Sequence, residues 1–466
     1  MQKIFYQPDG FWFGDCMPFY KEGIYYLFHQ RDTRNPKPLT DPFGWSLVTT
    51  RDFVTFEDFG EVIPRGDTED DDQYIYAGSI IQGIGEQLAL YTGHNRQAKL
   101  EGRTSEILMI ASSQDLIHWE KDGEASKLVP QKGYDKNDWR DPFVIFDDDS
   151  QKYVLVLGAR KPASKKKPTG RLVYFESKDL KDWEFKGDYW APNEFNMIEM
   201  PDIFEIDDTW YLLFSEYCED KKTKYRIGSG LFTNWKSPLD EAFDGKAYYA
   251  ARTVGENETG RFLTGWVATK EQDSDLNIWD WGGALVPHQI IQNDDKTLGV
   301  KLPQTIIDHF EKSEIFDGFK LENEFGKSEQ FIVSDSEDYF LFETRIVSQA
   351  NTKEFAIKLF TDLETQEGYE YKISMVNNEL SFGKTPNYPW PQFFDKGLQR
   401  PLSIEPEKEI QVKLIVDDSI AVLYINNVAL STRMYDKPGT AISLTVTEGA
   451  ITVSESKYST GYDSGF

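Results

Sequence analysis

A short polar turn recurs along the first half of this chain. Thr50-Arg51-Asp52-Phe53-Val54-Thr55-Phe56, Ser113-Gln114-Asp115-Leu116-Ile117-His118-Trp119 and Ser177-Lys178-Asp179-Leu180-Lys181-Asp182-Trp183 share a Ser/Thr-x-Asp start and an aromatic end, and their first aspartates stand 63 and 64 residues apart. Thr233-Asn234-Trp235 is a weaker fourth copy. Self-similarity at such a period marks repeated supersecondary units. In each turn the hydroxyl and carboxylate are placed to bond their own backbone, and the aromatic to pack beneath the unit.

Hairpins fill the space between the turns. Gly14-Asp15-Cys16-Met17-Pro18, Arg140-Asp141-Pro142 and Glu199-Met200-Pro201-Asp202 each bring an acid and a proline to the head of an apolar strand, followed by a polar turn and an aromatic-rich return strand. That is the hairpin pattern. A second unit starts near Gly78-Ser79, and a fifth holds Phe262 to Trp266 and Trp281 to Leu285. Roughly 300 residues in units of about 60 give about five units, each long enough for a four-stranded blade. A five-bladed β-propeller is expected over residues 1–305, with Asp15, Asp141 and the Glu199/Asp202 pair around one mouth of its channel.

Beyond Pro303 the texture changes. Residues 306–318 read as a connector, and 319–466 as a β-sandwich with strands at Tyr339–Val347, Glu354–Phe360, Tyr369–Val376, Ile410–Val416, Ile420–Ile425 and Ala441–Val446. The last residues, 458–466, read as a loosely held tail. The fold class is thus all-β. An aromatic share of 15% in 466 residues agrees with strands and with surfaces on which sugars stack.

The net charge of −28 excludes nucleic acid and anionic membrane as partners and favours a small neutral ligand. Two cysteines, Cys16 and Cys218, make no disulfide framework, and no Cys/His cluster has zinc spacing, so no metal site is expected. His29, His94 and His118 read as structural, and Lys165-Lys166-Lys167 as a solvated loop. The opening residues hold no apolar signal core, which makes a cytoplasmic location the expectation. The oligomeric state is left open.

Three carboxylates at one channel mouth are what glycoside cleavage requires: a nucleophile or base, an acid, and a group that stabilises the sugar cation. Over nearly its whole length the chain resembles glycoside hydrolase family 32, the invertase, inulinase and levanase family. Arg140-Asp141-Pro142 matches the family's Arg-Asp-Pro, and Glu199-Met200-Pro201-Asp202 its Glu-Cys-Pro-Asp with Met for Cys. Leu27-Phe28-His29-Gln30, Tyr76-Ala77-Gly78-Ser79 and Trp281-Gly282-Gly283-Ala284-Leu285 resemble Leu-Phe-Tyr-Gln, Phe-Ser-Gly-Ser and Trp-Ala-Gly-Ala-Leu. The nucleophile motif Trp-Met-Asn-Asp-Pro-Asn-Gly is met by Trp12-Phe13-Gly14-Asp15-Cys16-Met17-Pro18 at its Trp and its Asp alone.

The resemblance implies that Asp15 is the nucleophile, Glu199 the acid/base and Asp141 the transition-state stabiliser. It also implies a sugar site built from Trp12, Gln30, Tyr76, Ser79, Arg140, Asp202 and Trp281. For Trp12, Trp45 and Trp281 core packing competes with sugar stacking, and for Asp202 a structural role competes with a sugar contact. The implied activity is retaining cleavage of a terminal fructosyl unit from sucrose, its phosphate or short fructooligosaccharides, and it implies no cofactor. An inverting arabinofuranosidase or xylosidase-like propeller and a catalytically weak fructoside-binding protein are the alternatives.

Overall fold

The computed structural model describes residues 2–123, 126–162, 168–218, 220–256, 260–386 and 396–463. Lys165, Lys166 and Lys167 lie outside them. The chain is all-β, and no helix among the described residues is long and apolar enough to cross a membrane.

Antiparallel sheets follow one another along the first 300 residues. Trp12–Lys21, Ile24–Asp32, Trp45–Thr50 and Phe56–Ile63 pair in chain order, as do Tyr74–Gln82, Gln87–His94, Glu106–Ser113 and Trp119–Lys121. The same meander recurs in Trp139–Asp147, Lys152–Arg160, Gly170–Ser177 and Glu184–Trp190, then in Ile198–Ile206, Thr209–Glu216 and Thr223–Gly228. Tyr248–Glu256, Gly260–Lys270, Trp279–Gln292 and Leu298–Lys301 form the last set, joined to the first sheet through Phe13 opposite Gly283. The leading strand of each set packs against that of the next, and Tyr248–Glu256 packs back on Trp12–Lys21.

The repeated turns are alike bond for bond. Thr50, Ser113 and Ser177 each accept through Oγ from the amide three residues on, at 2.9 Å. Asp52, Asp115 and Asp179 each accept through Oδ1 from the second and third amides after them, at 2.8–3.0 Å. The residue between, Phe53, Leu116 or Leu180, has φ of 60°, 69° and 64° and is buried. Burial of that side chain under its sheet offsets the strain of a left-handed backbone. The expected aromatic follows: Trp119 and Trp183 donate Nε1–H to Leu116 O and Leu180 O.

The second half is one twelve-stranded antiparallel sheet. All six strands expected there are present, within a residue or two except for Ala441–Val453, which runs on past Val446. That strand pairs with Phe319–Val333 on one side and Glu354–Thr361 on the other, which places it at the centre. The segment read as a connector contains a strand instead, because Phe310–Phe316 pairs with Ser456–Tyr462. For the same reason the tail is not loose through Tyr462; residues 464–466 lie outside the described part.

Candidate active site

A cavity of about 680 Å³ opens at one end of the leading strands and is lined by Asp15, Asp141 and Glu199. What aims these side chains inward is a break in register. Pairing slips between Phe13 and Cys16, between Tyr76 and Gly78, opposite Arg140 to Phe143, between Glu199 and Asp202, and between Tyr249 and Arg252. Every leading strand thus carries a bulge at the same level. A bulge bends the strand and re-aims one side chain, and at Asp141, Met200 and Ala250 it forces φ to 62°, 52° and 54°.

Surrounding bonds hold the strained backbone. Asp141 N donates to Thr92 Oγ1 at 2.9 Å, Arg252 Nη2 donates to Asp141 O at 3.0 Å, and Met200 N donates to Asp141 Oδ2 at 3.1 Å. Such conformations persist where several contacts over-determine them, and they cluster at functional sites.

Arg140 ties the third acid, Glu199, to the carboxylates of Asp138 and Glu106. It donates through Nη2 and Nε to Glu199 Oε1 at 2.7 and 3.1 Å, and through Nη1 to Asp138 at 3.0 Å and to Glu106 at 3.3 Å. Glu106 is itself buried and accepts from Trp139 N at 2.7 Å. Burial would push the Glu106 carboxyl up, but the Arg140 guanidinium and His94 hold it below its ordinary range. Tyr249 donates its hydroxyl to Glu199 Oε2 at 2.7 Å, and burial next to that carboxylate pushes the phenol far up, so it stays a neutral donor.

Asp15 is held differently. Its amide donates to Gln30 Oε1 at 3.3 Å, and its Oδ1 accepts from Trp266 Nε1 at 3.0 Å. Burial first, then the nearby Asp141 carboxylate, push Asp15 up to about 8 against the opposing Trp266 bond, with Glu199 adding to the rise. Asp141 is also raised, by burial and by Glu199, with Arg140 opposing. Close carboxylates in one dry cavity do not all ionise together, so at neutral pH this end of the site retains a proton.

Seven expected residues meet in this cavity: Asp15, Asp141, Glu199, Gln30, Tyr76, Arg140 and Trp281. Three do not line it. Ser79 and Asp202 each stand three residues past Tyr76 and Glu199, beyond the bulge, and at about 3.3 Å per residue that carries them some 10 Å down the strand. Ser79 is buried there, and Asp202 lines a separate cavity with Phe204, Trp210 and Arg261, accepting from Thr253 N at 2.5 Å. Trp12 faces Arg34, whose guanidinium lies 4.4 Å over its ring. Trp45 is core, its Nε1 donating to Tyr76 O. Cys16 and Met17, where the motif departs most, are buried in the core next to Asp15 and line none of the cavity.

Several contributors had no sequence signal. Tyr249 heads a strand with neither an acid nor a proline beside it, and Trp266, Glu106 and Phe43 reach the cavity from positions that the three acidic strand heads do not mark.

Residues 6–301 match the model of the glycosyl hydrolases family 32 N-terminal domain. The chain belongs to glycosyl hydrolase family 32. It is 26% identical over 315 residues to the sucrose-6-phosphate hydrolase of Escherichia coli, a match covering 62% of this chain and 60% of that protein's length. In three dimensions it resembles sucrose-6-phosphate hydrolase from Lactobacillus gasseri, with TM-score 0.79 and 19% identity over 99% of this chain and 93% of that one. Fructan 1-exohydrolase IIa from Cichorium intybus gives TM-score 0.79 at 14% identity, over 100% and 98% of the two chains. These two likenesses carry the fold.

Proposed function

We propose that this family 32 chain is a retaining β-fructosidase built on a five-bladed β-propeller and a β-sandwich, with the crossing between them just after Pro303. The carrying observation is that Asp15, Asp141 and Glu199, from three leading strands, line one cavity, each at or beside a bulge. Five sets of strands whose leading members pack round in a circle support the propeller reading.

In this mechanism ionised Asp15 attacks the anomeric carbon of a terminal fructosyl unit while protonated Glu199 gives its proton to the departing glycosidic oxygen. The fructosyl-enzyme ester is then hydrolysed. Glu199, now a carboxylate, takes a proton from water, whose oxygen displaces Asp15 and leaves fructose. Arg140 and Tyr249 hold the two oxygens of Glu199 in place, and Asp141 faces the cationic sugar. Side chains alone carry these steps, and the partner is a small carbohydrate.

The rim favours one class of leaving group. Arg96, Lys99, Lys221 and Lys246 line the cavity of a chain whose net charge is −28. Cations gathered against that background favour an anionic leaving group, such as a phosphorylated glucosyl unit. A phosphorylated sugar is an internal metabolite, so we place the protein in the cytoplasm.

The test is release of fructose from sucrose, sucrose 6-phosphate, inulin and levan, with the initial anomer followed by NMR. Release with retention, fastest from the phosphorylated sugar, is expected. Binding without any release over days at high protein concentration would overturn the enzymatic reading. Equal rates on sucrose and its phosphate, unaffected by salt, would overturn the role given to the rim.

A further inference from the structure

At position 14 the family's motif has Asn and this chain has Gly, and the vacated space is filled from a distant strand. A Cβ built on Gly14 would stand 2.1 Å from Trp281 Cη2, with two more atoms of that ring at 2.8 and 2.9 Å. Any side chain at position 14 therefore excludes the Trp281 indole from where it lies. Phe43 stacks on the indole, with centroids 6.0 Å apart and planes 6° from parallel, and the backbone of Trp281 is held separately, its carbonyl accepting from Arg34 Nη2 at 2.8 Å. Trp281 in turn lies against Trp266, with ring centroids 5.9 Å apart. Among the described residues Trp266 Nε1 is the one side-chain donor to the Asp15 carboxylate.

We propose that Trp266 is the positioning residue of Asp15, and that Trp281, seated on Gly14, fixes the Trp266 indole at the angle this donation requires. The proposal rests on the reading of Asp15 as nucleophile. A carboxylate attacks through one oxygen; a donor pinned on Oδ1 sets the rotation of the group and leaves Oδ2 to be directed at the anomeric carbon. The same bond favours the ionised form that attack needs. The titratable and charged groups facing Asp15 are Asp141, Glu199, Arg252 and Tyr249 from the packed strands, with Cys16 beside it on its own strand. The two carboxylates oppose its ionisation, and Arg252 and Trp266 favour it. Gly14 and Trp281 are therefore one device, and neither substitution is interpretable without the other.

Three variants test this. Trp266→Phe keeps most of the ring and deletes the donor; it is expected to lower kcat by about 10- to 100-fold with KM within about threefold, and to move the acidic limb of kcat/KM to higher pH. Gly14→Ala is expected to cost about tenfold or more in kcat/KM in the native background and less than about twofold when Trp281→Ala is already present. The same non-additivity is expected in denaturation midpoints, which need no activity. An acidic limb unmoved in Trp266→Phe overturns the positioning role, and additive effects of Gly14→Ala and Trp281→Ala overturn the seat. Absence of fructose release by the unmutated protein would instead defeat the functional reading, with the midpoint cycle still deciding the Gly14–Trp281 seat.

Discussion

Asp15 concentrates the conflict between stability and chemistry in this protein. Burial and then the Asp141 carboxylate push Asp15 up to about 8 in the folded chain, against the ordinary value of 3.8, so the ionised form that attack requires is held there at a cost to the fold. Between those values the folded state binds more protons than the unfolded one, so this group's contribution to stability falls as pH rises. Asp15→Asn is therefore expected to raise the melting temperature at pH 8, by about 1–3 °C, and to leave it unchanged at pH 4. Calorimetry at the two pH values checks this; equal shifts at both would show that the carboxylate is not under strain. On activity the expectation reverses. Asp15→Asn and Glu199→Gln each reduce turnover by several orders of magnitude, and a variant within about tenfold of the native rate removes that residue from its assigned role. The acids themselves were legible in the sequence because each stands in a short motif at a strand head. Trp266 and Tyr249 were not, because the chemistry they support belongs to carboxylates far away in sequence.

At the scale of the strand, the bulges decide what reaches the substrate. Sequence periodicity locates a strand and its alternation, but a bulge is fixed by which partner residue is skipped, and that depends on the neighbouring strand. This is why Tyr76 and Glu199 line the cavity while Ser79 and Asp202, drawn from the same motifs, do not. The repeated turn was more legible than any strand, since its Ser/Thr and Asp bond to amides two and three residues on. Thr92 tests the bulge at Asp141. Its hydroxyl accepts from the Asp141 amide at 2.9 Å inside the protein, and Thr92→Val keeps the shape while leaving that N–H without its partner. A loss of about 1–3 kcal/mol in unfolding free energy is expected, together with a fall in kcat as the Asp141 side chain loses its fixed orientation. Stability reduced with kcat unchanged would show that the strained backbone does not need Thr92.

Across the whole molecule, the two halves share one interior. A single cluster of buried side chains includes Phe243, Tyr248, Val267, Ala284 and Val286 from the first half and Leu414, Tyr424, Leu430 and Met434 from the second. Polar groups are sealed into the same junction. Asp244 accepts from Ser431 N and Oγ at 2.7 and 2.6 Å and lies 3.2 Å from His288 Nε2, whose Nδ1 is 2.7 Å from the Tyr424 hydroxyl. Burial alone would push Asp244 up, but His288 and Ser431 outweigh it and hold the carboxyl below its ordinary value. Asp417 accepts from the amides of Lys3, Ile4 and Phe5, and Arg433 donates to Val267 O and Ala268 O, on the strand that carries Trp266. Charges buried this way are costly once a partner is removed. A fragment ending near Asp317 would expose the apolar junction and leave Asp244 and His288 without Ser431 and Tyr424, although every acid of the site would remain. Such a fragment is expected to be insoluble or inactive, and the full chain to unfold in one cooperative denaturant transition followed alike by fluorescence and circular dichroism. Because Asp244 is stabilised as the anion, the junction should weaken as pH falls through the carboxylate range, and Asp244→Asn should remove part of that acid sensitivity. A soluble, fully active fragment, or two separate transitions in the whole chain, would show that the second half merely accompanies the first.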